Sequence, residues 1–399
     1  MNFKPPLPGL SVNEREPRAG RNTARILFID NLRWYTIILV LSMHAADTYS
    51  PLGNWYFVDR KPLATGTLLF LAAWQMYLQA FFMGLLFFIA GFFVPAAFDR
   101  KGLGKFVRDR SFRLGLPVLF YMFILGPITE YYVAHSWTST KPTSFANEWI
   151  KHVRNGQFLQ ENGPLWFCLA LLIFSVGFAV FRHVYGNHFM QPKKAESNLD
   201  DGTLIRFALL IAAVTFAIRL ARLPMLLNLP LRDFGQYILL FGAGILCARH
   251  QSLTKLELSS GIRWIALALT VGFAAWLTIL ITGGALRGEG SAFYGGWHWQ
   301  NAAFSIWESF TCVALCYGLI TLFSYKFNHQ GRISHFLSEN AFSVYVFHPP
   351  ILILTARMLH GVTIDPILKF IALTLLAAIA SFILSAAVFR RLPVLRRIL

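Results

Sequence analysis

An arginine and a histidine stand eleven residues apart in the apolar run FIDNLRWYTIILVLSMHAADTY. On an α-helix, eleven residues make three turns plus about 20°, so Arg33 and His44 point the same way, about 16 Å apart along the axis. Asp30 lies one turn before Arg33, and Asp47 one turn after His44. One face of this helix therefore reads as polar from end to end. An imidazole titrates near neutral pH and can carry a proton. A guanidinium binds phosphate and carboxylate oxygens. Ionisable groups inside a membrane span cost about 2.5–3.5 kcal/mol each on insertion scales, and such groups usually face an interior cavity. A bland reading stands beside this one: Asp30 and Arg33 form a snorkelling pair, and His44 sits among lipid headgroups.

Four more features could carry chemistry. The stretch RKGLGKFVRDRSFRLGLP crowds Lys101, Lys105, Arg108, Arg110 and Arg113 ahead of a proline. It reads either as positive-inside anchoring or as a cytoplasmic phosphate site, with coenzyme A as a fitting nucleotide-bearing donor. Glu308 lies inside an apolar run, about one and a half turns from its outer end. An intramembrane Glu is a functional candidate, or it is the partner of an interior Arg. Tyr345 and His348 in SVYVFHPP share a helix face, and Pro349 and Pro350 are expected to break or kink that helix. Arg219, Arg222 and Arg232 form one basic cluster on the opposite side from the others. Arg219 there either pairs with Glu308 or holds an anionic acceptor.

The elements that must position these residues are membrane helices. The chain has 399 residues, 56% hydrophobic and only 14% charged, against about 25% charged in an ordinary soluble domain. A spanning helix needs about 20 mostly apolar residues. The sequence supplies ten such runs: 26–46, 69–98, 114–133, 164–181, 204–220, 234–248, 262–282, 302–323, 341–359 and 366–389. The expected fold is therefore an all-α integral membrane protein, a bundle of about ten transmembrane helices. Residues 1–25 are expected to be a flexible cytoplasmic tail, without the apolar core of a cleavable signal. Residues 26–399 form the transmembrane domain, with Gln191 to Gly202 as a solvated linker.

The net charge of +17 would suggest nucleic acid in a soluble protein. Here the basic residues mark topology instead. Lys and Arg number 24 on the tail and the even-numbered connections against 9 on the others, with Arg206, Arg219 and Arg263 counted to their nearer side. That bias places both termini in the cytoplasm. The outer loops hold Tyr294, Trp297 and Trp299, as interface anchors or as platforms for sugar rings. Cys168, Cys247, Cys312 and Cys316 all lie in apolar runs and read as packing residues, and no metal site is expected.

In its motifs the sequence resembles the membrane-bound acyltransferase 3 family. Arg33, ten intervening residues and His44 fit that family's R-x10-H pattern. LLFFIAGFFVPAAFDRKG resembles its FxxSGF span, with Ala90 in place of the usual Ser before Gly91. Arg110 and Arg113 fill its R-x-x-R element. GPLWF (Gly163 to Phe167) and SVYVFHPPIL (Ser343 to Leu352) match later segments. The branch containing glucan succinyltransferases looks nearest. The resemblance implies a multi-pass enzyme of the inner (plasma) membrane. It would move an acyl group, commonly acetyl or succinyl, from cytoplasmic acyl-CoA to a sugar hydroxyl of an extracytoplasmic glycan. Acyl-CoA enters as a co-substrate, with no tightly bound cofactor.

On that resemblance, Arg33, with Asp30 beside it, and Arg110 and Arg113 are expected to hold the donor. His44 is expected to act as general base or as covalent acyl carrier. Glu308 or Asp47 would orient it, as a carboxylate does in a triad. Tyr345, His348 and Arg219 complete the expected substrate contacts. The rival class is a transporter with an intramembrane Arg/His/Glu relay. Against it, no inverted repeat is visible in the sequence.

Overall fold

The computed structural model describes residues 26–53, 55–59, 61–134, 144–186, 199–250, 253, 256–287, 290–392 and 395. The expected tail, 1–25, lies outside the described residues, as does most of the expected linker. All regular structure among the described residues is helical. The main helices are α1 (Leu27–Tyr49), α2 (Thr65–Arg110), α3 (Phe145–Arg154), α4 (Trp166–Tyr185), α5 (Asp201–Leu220), α6 (Phe234–His250), α7 (Leu258–Leu269), α8 (Val271–Thr282), α9 (Trp299–Lys326), α10 (Arg332–Met358) and α11 (Pro366–Ala387).

Eight helical segments are long and apolar enough to cross a membrane. The first of them, Thr65–Val133, holds two of the expected spans. It contains α2 and a following stretch of π and α turns that runs to Ala134. Gly102 breaks it at φ +70°, a backbone region that glycine enters without strain. The chain turns back there. Phe98 and Phe106 have ring centroids 5.6 Å apart, and Lys101 pairs with Asp109 at 2.8 Å. Eight residues along a straight helix would be about 12 Å apart. The basic stretch expected as a loop is therefore mostly helix, with one sharp turn. The expected seventh span is also two helices, α7 and α8, which meet at Thr270.

α1 is the hub of the bundle and packs on α2, α9, α10 and α11. α2 and α6 approach each other closely. A Cβ on Gly91 would collide with the carbonyl of Phe241, and one on Gly244 with the carbonyl of Phe88. The two glycines thus let the backbones touch, as small residues do in membrane interfaces. α7 and α8 lie at the periphery. Leu267, Leu269, Val271, Phe273 and Ile281 are exposed there, as suits a surface facing acyl chains.

The expected break at Pro349 and Pro350 is absent, because α10 runs through both prolines. Pro349 has no N–H to give the carbonyl of Tyr345, four residues back. His348 Nδ1, at 2.8 Å, bonds that carbonyl instead. A side chain one turn away thus satisfies a buried group that the proline had orphaned, and the helix continues.

Candidate active site

The outer half of α1 holds the first part of the site. His44 Nδ1 lies 3.1 Å from Asp47 Oδ2, one turn along the same helix. Gln75 of α2 donates from Nε2 to Asp47 Oδ1 at 2.7 Å. The carboxylate is thus held on both oxygens, by His44 and by Gln75. A carboxylate only accepts, so His44 Nδ1 carries the proton and Nε2 keeps its lone pair. No described residue hydrogen-bonds that Nε2. The side chain of His44 retains 18% exposure, enough for a small group to reach it.

Two aromatic rings fix the imidazole plane. Trp55, from the loop after α1, stacks on His44 at 3.8 Å with 13° between the planes. His348 of α10 lies 5.4 Å from His44, also nearly parallel at 12°. Trp55 and His348 are 6.3 Å apart. These three separations give a near-right angle at His44. Trp55 therefore covers the face of His44, while His348 lies beside its edge.

The loop carrying Trp55 is pinned on both sides. A Cβ on Gly53 would overlap the backbone of Asp47, and Asp59 N donates to the Thr48 carbonyl at 2.8 Å. The Asp59 carboxylate is buried against Lys369 Nζ at 2.8 Å and His360 Nδ1 at 3.2 Å. Sequence reasoning missed Trp55, Gln75 and this Asp59–Lys369 pair. Gln75 had a legible signal, an amide inside an apolar run. Trp55 had none, since nothing in a loop sequence says which ring it will cover.

The inner half of α1 faces a cavity of about 550 Å³. Arg33, Arg100, Lys101, Arg110 and Arg113 line it, against the acids Asp30 and Asp109. Cations thus outnumber acids in its wall, and the cavity favours an anion. Arg33 lies 3.5 Å from Asp30, and Arg110 rests on the Phe106 ring. Deeper in, the wall turns apolar with Ile37, Leu86, Ile89, Phe167 and Leu171, and Tyr345 also lines it. The hydroxyl of Tyr345 donates to the carbonyl of Pro164. Arg33, Asp30, Arg110, Arg113 and Tyr345 thus line one cavity. The face of α1 is not polar throughout, however. Ile37 and Leu41 separate the arginine end from the histidine end.

Glu308 and Arg219 stand elsewhere. Arg219 Nη2 donates to Glu308 Oε2 at 2.7 Å and to Asp233 Oδ1 at 2.8 Å. Ser305 and the Phe304 ring complete its surroundings. Arg232 Nε adds a longer contact to Asp233, 3.4 Å. Two acids thus face two arginines, and the charges balance. Glu308 is therefore not the carboxylate on His44; Asp47 is. Arg219 is buried with both its nearest acids satisfied, which corrects its assignment as a substrate contact. The physical reason is that a buried charge must be paired, and these partners pair each other.

A family model described as an acyltransferase domain, acyltransferase 3, matches residues 26–386. The chain belongs to the acyltransferase 3 family. It is a multi-pass membrane acyltransferase, and the transporter reading gives way to that class. No curated protein and no solved structure matches the chain. Within this acyltransferase 3 domain, the matched span begins just before α1 and includes every site residue named above.

Proposed function

We propose that this acyltransferase moves a short acyl group, acetyl or succinyl, from cytoplasmic acyl-CoA to a hydroxyl of an extracytoplasmic glycan. The observation that carries this reading is the arrangement along α1. His44 is held by Asp47 with Nε2 open, and the cation-rich cavity lies about three turns away at Arg33. The excess of Lys and Arg assigns the Arg33 end to the cytoplasm, where nucleotide thioesters are made. The phosphates of the donor would meet Arg33, Arg110 and Arg113, and its pantetheine arm would follow the apolar wall inward.

The step balances as follows. The acceptor oxygen attacks the thioester carbonyl while His44 Nε2 takes its proton. The C–S bond then breaks, and the imidazolium returns the proton to the leaving thiolate. Asp47 steadies that imidazolium through Nδ1–H. The same Nε2 lone pair would also serve an acyl-imidazole route, in which His44 attacks first. An inner-membrane location and a place near the glucan succinyltransferase branch accompany this reading.

The test compares His44→Ala and His44→Gln with the unaltered protein in membranes, at matched expression. Release of CoA thiol and acylated glycan are measured. Loss of about 100-fold or more in both variants is expected, since a general base contributes about 10²–10⁴. Near-normal acylation in both would overturn the assignment. Mass spectrometry of surface glycans after deletion of the gene names the acyl group.

A further inference from the structure

One ring nitrogen of His348 has no hydrogen-bond partner among the described residues. The ring is fully buried, at 0% exposure. Its Nδ1 donates to the Tyr345 carbonyl at 2.8 Å, the carbonyl that Pro349 cannot serve. A carbonyl only accepts, so Nδ1 holds the proton and Nε2 is a lone-pair acceptor. That Nε2 is buried without a hydrogen-bond partner among the described residues. A buried polar atom left unpaired carries an uncompensated desolvation cost. Such atoms in native proteins call for an explanation, a functional role among them.

Its location supplies the explanation. His348 lies beside the edge of His44, 5.4 Å between centroids, on the side that Trp55 leaves open. Tyr345, one turn earlier on α10, lines the cavity and has its ring 6.2 Å from His348. His348 thus neighbours both Tyr345, in the cavity wall, and His44, the proposed base.

We propose that His348 is a second substrate-contacting residue of the acyl-transfer site: its Nε2 accepts a hydrogen bond from an N–H or O–H of a bound substrate beside His44. This rests on the acyl-transfer reading above. The tautomer fixed by Pro349 makes His348 an acceptor only. It cannot donate to a thioester carbonyl, and it complements His44 by orienting rather than by moving the proton. The donor group has two sources. An amide N–H of the pantetheine arm would arrive from the Tyr345 side, and a second hydroxyl of the glycan from the His44 side.

Two substitutions separate this role from a structural one. His348→Asn keeps an N–H where Nδ1 lies, so it still serves the Tyr345 carbonyl, but it removes the acceptor at Nε2. His348→Gln places an amide oxygen near Nε2 and gives up the Nδ1 position. Thermal unfolding and steady-state kinetics are measured on both, in detergent or nanodiscs, with acyl-CoA and acceptor varied separately. The expected result is a loss of about 10-fold or more in kcat/KM for Asn with unfolding unchanged, and partial rescue by Gln. A raised KM for acyl-CoA identifies the pantetheine amide, and a raised KM for acceptor the glycan hydroxyl. Asn at full activity with Gln impaired would overturn the proposal, because the Tyr345 carbonyl would then be the whole role. If the unaltered protein turns over no acyl-CoA, the acyl-transfer reading itself fails. That outcome is distinct from a normal enzyme indifferent to His348→Asn.

Discussion

At the scale of residues, the proposed mechanism depends on which nitrogen of His44 carries a proton. Asp47 decides this, and Gln75 holds Asp47 in place. In Asp47→Asn, the amide oxygen can still accept from Gln75, which turns the amide N–H₂ toward His44. Nδ1 must then accept, the proton moves to Nε2, and the base is lost. We expect kcat to fall by roughly 100-fold or more with the KM for acyl-CoA little changed. Steady-state kinetics on purified protein check this; an unchanged kcat would remove Asp47 from the mechanism. Arg110→Gln and Arg113→Gln should act the other way. Each removes one cation from the cavity wall, so the KM for acyl-CoA should rise several-fold, more at low salt, with kcat largely kept. Titration of CoA analogues in 50 and 500 mM salt reads this out.

At the scale of elements, two features carry predictions. The contact of α2 with α6 depends on Gly91 and Gly244, where a Cβ has no room. Gly91→Ala must push the helices apart, which also moves the α2 residues that line the cavity. A loss of about 1–3 kcal/mol is expected, as for overpacking in a dense core, seen as a lower unfolding midpoint. Gly102→Ala meets no atom, so any loss there comes from its positive φ alone. The second feature is the segment between α3 and α4. Glu161 lies 3.2 Å from His152. Burial, and then the Glu130 carboxylate, push the Glu161 carboxyl up to about 6, with His152 opposing. An acid raised in the folded state favours folding in its protonated form. Its contribution is fully present below the ordinary Glu value and is lost as pH rises through about 6. Glu161→Gln should therefore flatten any fall in stability between about pH 4.5 and 6.5, measured by unfolding across that range.

At the scale of the whole molecule, the Arg219, Asp233 and Glu308 group ties α5, the turn before α6, and α9 together inside the bundle. Removing one partner of a buried ion group costs about 3–5 kcal/mol, because a charge is left uncompensated. Glu308→Gln should thus lower the yield of folded protein, while the protein that folds keeps a near-normal kcat. A His44-like loss of kcat with full stability would instead return Glu308 to the catalytic site. The same scale explains how α1 can hold polar groups: it packs on four other helices, which shield much of its surface from lipid.

Much of this was legible in the sequence, and the reasons are local. The ten apolar runs follow from the cost of unpaired backbone in lipid, and each corresponds to helix in the structure. The eleven-residue spacing of Arg33 and His44 follows from helix geometry alone. Asp47 at i+3 from His44 belongs to the same arithmetic. What the tertiary structure decided are pairings across helices, for which spacing within one chain segment carries no information. Sequence left Glu308 and Asp47 as equal supports for His44. Burial settled it, since Glu308 meets Arg219, 89 residues away in sequence. Trp55 reached His44 through a loop pinned by Lys369, 310 residues from Asp59. The prolines after His348 looked like a break; the side chain of His348 itself repaired the helix. The sequence by itself determined the helices and the one-helix motif. Only the packed bundle decided which buried charge satisfies which, because a charge in low dielectric takes the nearest partner in space, not in sequence.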